Sequence, residues 1–95
     1  MKIRYSTEAY NDLVEIIGFG IANFGLAQSN KYVSRIRNAI DLIGLNPEMA
    51  RLWTELKRPV RIHSVGSHVI VFDKEDGMVV IVRILSAGQN LPDHI

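Results

Sequence analysis

The sequence predicts one α+β domain, residues 1–95, in which a helical hairpin packs on a mostly antiparallel four-stranded sheet in the order β-α-α-β-β-β. Three observations support this fold class. Two stretches in the first half carry apolar residues at helical spacing and are separated by Gly25. Three stretches after Pro59 have the length and apolar content of strands. Between the last two of them, Asp76-Gly77 is a strong hairpin signal.

The first two elements are a short strand and a helix. The strand is predicted over Lys2–Tyr5, where polar and apolar residues alternate. Ser6 or Thr7 then supplies the helix N-cap. The apolar stripe of this helix consists of Ala9, Leu13, Ile16, Ile17, Ile21 and Phe24. Gly18 and Gly20 each cost such a helix about 1 kcal/mol relative to Ala, so we expect a second helix to approach closely there.

The second helix is predicted over Leu26–Leu45, because Gly25 ends the first helix and Pro47 disfavours a helical conformation at the residue before it. A connection this short makes the two helices antiparallel neighbours. Strands are predicted over residues 60–63, 68–72 and 78–85, and the segment from residue 51 to 59 is predicted as a connector.

Composition excludes several classes of function. Eleven Lys and Arg balance ten Asp and Glu, and a net charge of +1 gives little electrostatic basis for specific nucleic-acid binding. The chain has no cysteine, which excludes disulfides and thiolate sites and fits a reduced cytoplasm. The longest apolar run is far shorter than the ~20 residues of a membrane span. We therefore expect a cytoplasmic protein that makes no membrane contact.

Motifs for catalysis and cofactor binding are absent from the sequence. It has no Gly-x-Ser-x-Gly nucleophile elbow, no phosphate-binding loop and only part of a dinucleotide fingerprint. Its three histidines, His63, His68 and His94, lack the spacing of a metal-ligand pair. We expect no cofactor and no metal.

One basic cluster is present in the second half. Arg51, Lys57, Arg58 and Arg61 occur within eleven residues that hold a single acid, Glu55. Two interpretations remain open, namely a solvated connector and a surface for an acidic partner or nucleic acid.

Arg83 is a second candidate, because it interrupts an otherwise apolar strand where an unpaired buried charge would cost several kcal/mol. It either pairs with an acid, reaches solvent or faces an anion in a groove. Arg61 is expected on a neighbouring strand, which could place two guanidinium groups side by side. For RNA cleavage, Glu55, Arg61 and Arg83, together with His68, would supply the acid, base and cationic groups. These residue types occur in most domains of this size, so they are weak evidence for a nuclease.

A series of short motifs covers nearly the whole chain: Tyr5-Ser6-x-x-Ala9-x-x-Asp12-Leu13-x-x-Ile16, Asn46-Pro47, Val60-Arg61, His68-Val69-Ile70-Val71-Phe72 and Val82-Arg83-Ile84-Leu85. In this order they resemble the ParE-like toxins of the RelE/ParE superfamily of bacterial type II toxin–antitoxin systems. The resemblance implies the RelE/ParE-like fold, a small ParD-like antitoxin that folds as it binds, and higher toxin–antitoxin assemblies.

The resemblance leaves two activities open, because fold alone does not choose between them. ParE-like members poison DNA gyrase without a cofactor, whereas RelE-like members cut mRNA in the ribosomal A site. RelE-like nucleases are strongly basic and commonly place a Tyr or His with additional cations near the C-terminus. The near-zero net charge of this chain and its C-terminal sequence favour ParE. Many ParE-like sequences carry His at the position of Ser86. This chain therefore lacks that imidazole and any function that depends on it.

We therefore expect a toxin that inhibits DNA gyrase by binding, without catalysis, and that is neutralised by a ParD-like antitoxin. The residues expected to contact the target are Arg61, Arg83, Leu91, Asp93, His94 and Ile95. Two alternatives remain. One is a RelE-type mRNA interferase that uses Glu55, Arg61 and Arg83, and the other is a non-toxic interaction module.

Overall fold

The computed structural model describes residues 1–54 and 59–89. In chain order the elements are β1 (Lys2–Tyr5), α1 (Thr7–Phe24), α2 (Leu26–Leu45), a short 3-10 helix (Pro47–Met49), β2 (Arg51–Trp53), β3 (Val60–Val65), β4 (His68–Glu75) and β5 (Met78–Ser86). The strands of the described part form one sheet in the order β1-β5-β4-β3-β2. The predicted α+β class is confirmed, but the sheet has five strands rather than four.

The additional strand, β2, lies where we predicted a connector. It is three residues long and pairs antiparallel with β3, with Leu52 opposite Arg61. Three residues are too few to show a period-two pattern, so only the pairing with β3 reveals the strand. Glu55, Lys57 and Arg58 of the predicted basic cluster and candidate nuclease site lie outside the described residues.

The sheet is mixed. β3, β4 and β5 form two consecutive antiparallel hairpins, and β1 pairs in parallel with β5. Asp76 and Gly77 form the two-residue turn between β4 and β5, with φ values of 49° and 75°. Positive φ at both positions is the signature of a type I′ turn, as the Asp-Gly pair predicts.

The main core lies between the helices and one face of the sheet. Its buried members are Ala9, Leu13, Val33, Ile36, Ala39, Ile40, Ile43, Ala50, Ile70, Phe72, Val79, Ile81 and Ile84. A smaller cluster is formed by Val60, Val69, Val71 and Leu85. Because side chains alternate along a strand, β4 contributes Ile70 and Phe72 to the first cluster and Val69 and Val71 to the second. This explains why β4 is continuously apolar.

The hairpin is joined to the sheet at the start of α1. The Oγ of Ser6 accepts a hydrogen bond from the N–H of Ala9 at 3.0 Å and donates one to the carbonyl oxygen of Val82 at 2.7 Å. Ser6 is therefore the helix N-cap and also attaches α1 to β5. At the other end, Gly25 has a φ of 85° and donates its N–H to the carbonyl oxygen of Ile21. This conformation ends α1 and reverses the chain into α2.

The two glycines within α1 have different surroundings. A Cβ built on Gly20 would lie 2.6 Å from the Oγ of Ser29 on α2, whereas a Cβ on Gly18 would meet no atom within 4 Å. The predicted close approach of the helices is therefore confirmed at Gly20 and wrong at Gly18.

This difference gives a matched pair of variants. We expect Gly18→Ala to raise the free energy of unfolding by up to about 1 kcal/mol, because Ala has the higher helix propensity. We expect Gly20→Ala to be less stable than Gly18→Ala by about 2 kcal/mol, because its methyl group would overpack against Ser29. Urea denaturation of both variants measures the difference, and equal stabilities would contradict the assigned helix–helix contact.

Candidate functional site

The strongest polar interaction between the helices and the sheet joins Asp12 of α1 to Arg83 of β5. The Nε and Nη2 of Arg83 donate to the two carboxylate oxygens of Asp12 at 2.7 and 2.9 Å, and the N–H of Ile84 donates to the same carboxylate at 2.9 Å. The Arg83 side chain is only 22% exposed and the Asp12 side chain only 12%. The Asp12 hydrogen bonds, and then the charges of Asp12, Glu8 and Glu15, raise the pKa of Arg83. Among the alternatives left open by the sequence, the ion pair is the arrangement found.

A β-bulge places Arg83 in this position. On β4, Val71 pairs with Arg83 and the next residue, Phe72, pairs with Ile81, so Val82 is an extra residue in β5. Bulges disrupt the ladder locally and redirect side chains. Here the bulge directly precedes the two groups that donate hydrogen bonds to Asp12 of α1, the Arg83 guanidinium and the Ile84 N–H.

Arg61 does not lie on a strand next to Arg83, contrary to the prediction. β4 lies between β3 and β5, and each guanidinium has its own partner. The Nη1 of Arg61 donates to the carbonyl oxygen of Ala50 at 2.9 Å, which helps to attach the chain before β2 to the sheet. The sequence pattern could not give the strand order, and that order separates the two cations.

A groove of about 640 Å³ opens beside the Asp12–Arg83 pair. Its walls are α1 and the first turns of α2, its floor is the end of β5, and the turn between β3 and β4 contributes at its rim. Phe19 and Phe24 line it and are 64% and 65% exposed. Their rings meet edge to face with centroids 6.2 Å apart. Sequence periodicity assigned Phe24 to the core stripe, but it lies at the end of α1 and is exposed.

A polar cluster, which we call the Tyr32 clasp, lies on the same groove and consists of Tyr32, Ser67 and His68. The Tyr32 hydroxyl oxygen accepts from the N–H of Ser67 at 3.0 Å and lies 3.1 Å from the Ser67 Oγ. It lies 2.5 Å from the Nδ1 of His68. Burial lowers the pKa of His68, which favours the neutral ring, so we assign Nδ1 as the acceptor of the Tyr32 proton.

The described residues offer no metal site and no membrane helix. No group of three or more His, Asp or Glu side chains within residues 1–54 and 59–89 could hold a metal ion. Neither helix in this part of the chain is long and apolar enough to cross a membrane.

Comparisons with known proteins agree with this architecture. The family model described as "ParE toxin of type II toxin-antitoxin system, parDE" matches residues 3–91. The chain is 31% identical over 88 residues to Toxin ParE1 of Mycobacterium tuberculosis, covering 90% of each chain. The chain belongs to the ParE toxin family. Within the RelE/ParE superfamily it is thus a ParE toxin of a type II toxin–antitoxin system.

Two further similarities concern the sequence and the fold. The chain is 29% identical over 92 residues to Toxin ParE1 of Caulobacter vibrioides, covering 97% of this chain and 95% of that protein. Its fold matches a solved structure described as the chromosomal ParDE TA system from P. aeruginosa, with a TM-score of 0.80 and 19% identity. That match covers 90% of this chain and 95% of the other, and it confirms the RelE/ParE-like fold.

The site of this ParE toxin includes residues that sequence reasoning did not select. Asp12 appeared only as a position of the family-like motif, and neither Tyr32 nor Phe19 was selected. An arginine within an apolar strand, Arg83, made an acidic partner one of the predicted alternatives. Only the fold identifies that partner as Asp12. Leu91, Asp93, His94 and Ile95 lie outside the described residues, so their predicted target contact stays a prediction.

The Asp12–Arg83 pair predicts a large, local loss of stability. We expect Asp12→Asn to lower the free energy of unfolding by about 3 kcal/mol, because it leaves the largely buried Arg83 cation facing a neutral amide. The control Glu15→Gln neutralises an exposed carboxylate about one turn further along α1. It should change the free energy of unfolding by about 0.5 kcal/mol or less. Urea denaturation at pH 7 measures both variants. A loss at Glu15 equal to that at Asp12 would show that only the general charge of α1 matters.

Proposed function

We propose that this ParE toxin inhibits DNA gyrase in the cytoplasm by binding to it, and that a ParD-like antitoxin neutralises it. Membership of the ParE family supports the toxin class. No cofactor or metal is required, since gyrase supplies the chemistry and the toxin acts on its cleaved-DNA state.

The observation that favours binding over catalysis is the state of the two arginines that a nuclease would need. A cation that stabilises a phosphoryl transition state must face the groove with donors directed at the ligand. In this chain Arg83 directs two of its donors at Asp12, and Arg61 directs one at a backbone carbonyl. Both cations therefore stabilise the fold, and an acidic side chain already occupies the position of an anion at Arg83.

The groove is the surface that we propose for the antitoxin. Phe19 and Phe24 expose most of their surface beside it, and half-buried Ile16 extends the apolar wall. An amphipathic helix that inserts apolar side chains into such a groove buries this surface on binding. The antitoxin would thus bury the apolar side chains that the helical hairpin leaves exposed in the isolated chain.

Target contact is proposed through the C-terminal residues Leu91, Asp93, His94 and Ile95, whereas Arg61 and Arg83 donate hydrogen bonds within the fold and are proposed only to support the binding surface. Gln89, the last described residue, lines the groove, so the C-terminal residues continue from the groove's rim. This proximity supports a model in which the antitoxin neutralises the toxin by covering the start of its target-binding segment.

Gyrase inhibition tests the proposed function directly. We expect the purified chain to inhibit DNA supercoiling by gyrase and to leave ribosome-bound mRNA intact. A stop codon that replaces residue 90 should abolish inhibition while preserving the fold, because it removes the proposed contact residues and none of the described ones. Codon-specific mRNA cleavage would instead establish the interferase alternative. Normal growth of cells after induction of the gene would establish a non-toxic module.

Antitoxin binding tests the groove. We expect Phe19→Ser and Phe24→Ser each to weaken binding to the product of the reading frame adjacent to this gene by at least tenfold, as central apolar anchors do. Leu45→Ser is the matched control, because Leu45 is 81% exposed but lies at the far end of α2, about 28 Å from its start. Calorimetry measures all three variants. Equal weakening by Leu45→Ser would place the antitoxin elsewhere.

A further inference from the structure

Glu15 places a negative charge on the α1 wall of the groove. Within the described part of the chain, the charged residues that line the groove are Asp12, Glu15 and Arg83. Two of them neutralise each other, because Arg83 donates to both carboxylate oxygens of Asp12. Glu15 is exposed and forms no ion pair with a described residue. Its carboxylate is therefore the charge that a partner meets on this wall.

The described surroundings of Glu15 do not neutralise it. Helix α1 contains no Lys or Arg, so no cation lies three or four positions away on the same helix. Burial lowers the pKa of His68, which keeps that ring neutral at pH 7. The other elements of the groove contribute uncharged polar side chains, which are those of Gln28, Ser29, Tyr32, Ser67, Ser86 and Gln89.

The Glu15 carboxylate lies next to the aromatic part of the groove. Phe19 follows Glu15 by four positions on α1, and side chains at this spacing are neighbours on a helix surface. A helix that covers Phe19 therefore also removes Glu15 from water. A carboxylate that is buried in an interface without a partner lowers affinity, whereas a cation opposite it restores the lost interactions. The wall thus favours a helix that is apolar at one position and basic about one turn away.

We propose that Glu15 determines which antitoxin this toxin accepts, by pairing with a Lys or Arg one helical turn from the apolar side chain that contacts Phe19. This inference rests on the proposed function, in which a ParD-like antitoxin occupies the groove. The apolar contact at Phe19 accepts many amphipathic helices. The carboxylate of Glu15 rejects those that present an acid at the matching position, because specificity needs a repulsive element as well as an attractive one.

Charge reversal at Glu15 is the direct test. We expect Glu15→Lys to raise the Kd for the purified product of the adjacent reading frame by about tenfold or more, because two cations would then face each other. Glu15→Gln should raise it by about threefold and should reduce its dependence on NaCl between about 50 and about 500 mM. Calorimetry measures both variants. Because Glu15 is exposed, both should keep the fold, which circular dichroism checks.

A charge exchange between the two proteins identifies the partner residue. Each Lys and Arg of the antitoxin is replaced in turn by Glu and combined with Glu15→Lys. We expect one of these replacements to bring the Kd back to within about threefold of the wild-type pair, since an ion pair of opposite polarity then forms. Restoration by none of them would overturn the pairing.

Glu8→Lys is the matched control. It makes the same change in net charge at an exposed position about two turns earlier on α1, and Glu8 is not among the residues that line the groove. The Asp12 hydrogen bonds raise the pKa of Arg83 most, and the charges of Glu8 and Glu15 both add to that rise. We expect the Kd of Glu8→Lys to stay within about twofold of wild type. Equal weakening by the two variants would show that only the overall charge of α1 matters.

Failure of this inference and failure of the proposed antitoxin site give different results. If Phe19→Ser weakens binding but Glu15→Lys does not, the antitoxin occupies the groove and the pairing with Glu15 is wrong. If neither variant weakens binding, the antitoxin lies elsewhere, and the proposed site is overturned together with the role of Glu15.

Discussion

The carboxylate of Asp12 is the constraint on which the arrangement of helices and sheet depends. The bulge in β5 presents a guanidinium and a backbone N–H, those of Arg83 and Ile84, to the underside of α1. Burying these donors without an acceptor would cost several kcal/mol, and a carboxylate with two oxygens can satisfy them together. Since Ser6 also bonds to β5, the first half of α1 is held at two points about 1.7 helical turns apart.

The rest of the hairpin follows from this attachment. Beyond the attachment of α1 to β5, residues 16–24 of the helix are exposed or only partly buried. The close contact at Gly20 and Ser29 holds the two helices together there. Phe19 and Phe24 are exposed near the Gly25 connection of the hairpin, and both line the groove. Exposed aromatic surface of this kind on a small domain is typical of a partner site.

The charge distribution supports the proposal that this protein acts by binding. Its net charge is +1, and the arginines on β3 and β5 each donate hydrogen bonds within the fold. The other polar groups around the groove include the hydrogen-bonding side chains of Tyr32, Ser67 and His68. They can hold chain segments in position, which suits a protein proposed to act by binding two different partners.

The sequence by itself determined the order of the two helices and four of the strands, the helix ends and the hairpin turn, because each of these depends on residues close together in the chain. Gly25, Pro47 and Asp76-Gly77 act through local φ restrictions, and the apolar spacing of α2 is a local pattern. The resemblance of short motifs was also sufficient to indicate the family. What local pattern could not give was β2, the place of β4 between β3 and β5, and the separation of Arg61 from Arg83.

The site was decided by tertiary structure alone. Asp12 and Arg83 are separated by 71 positions, and Tyr32 and His68 by 36, so no spacing rule links either pair. An apolar helix position looks the same in sequence whether it is buried, as Leu13 is, or exposed, as Phe24 is. Only the packing of the hairpin on the twisted sheet distinguishes them, because burial is a property of what lies opposite a side chain and not of the side chain itself.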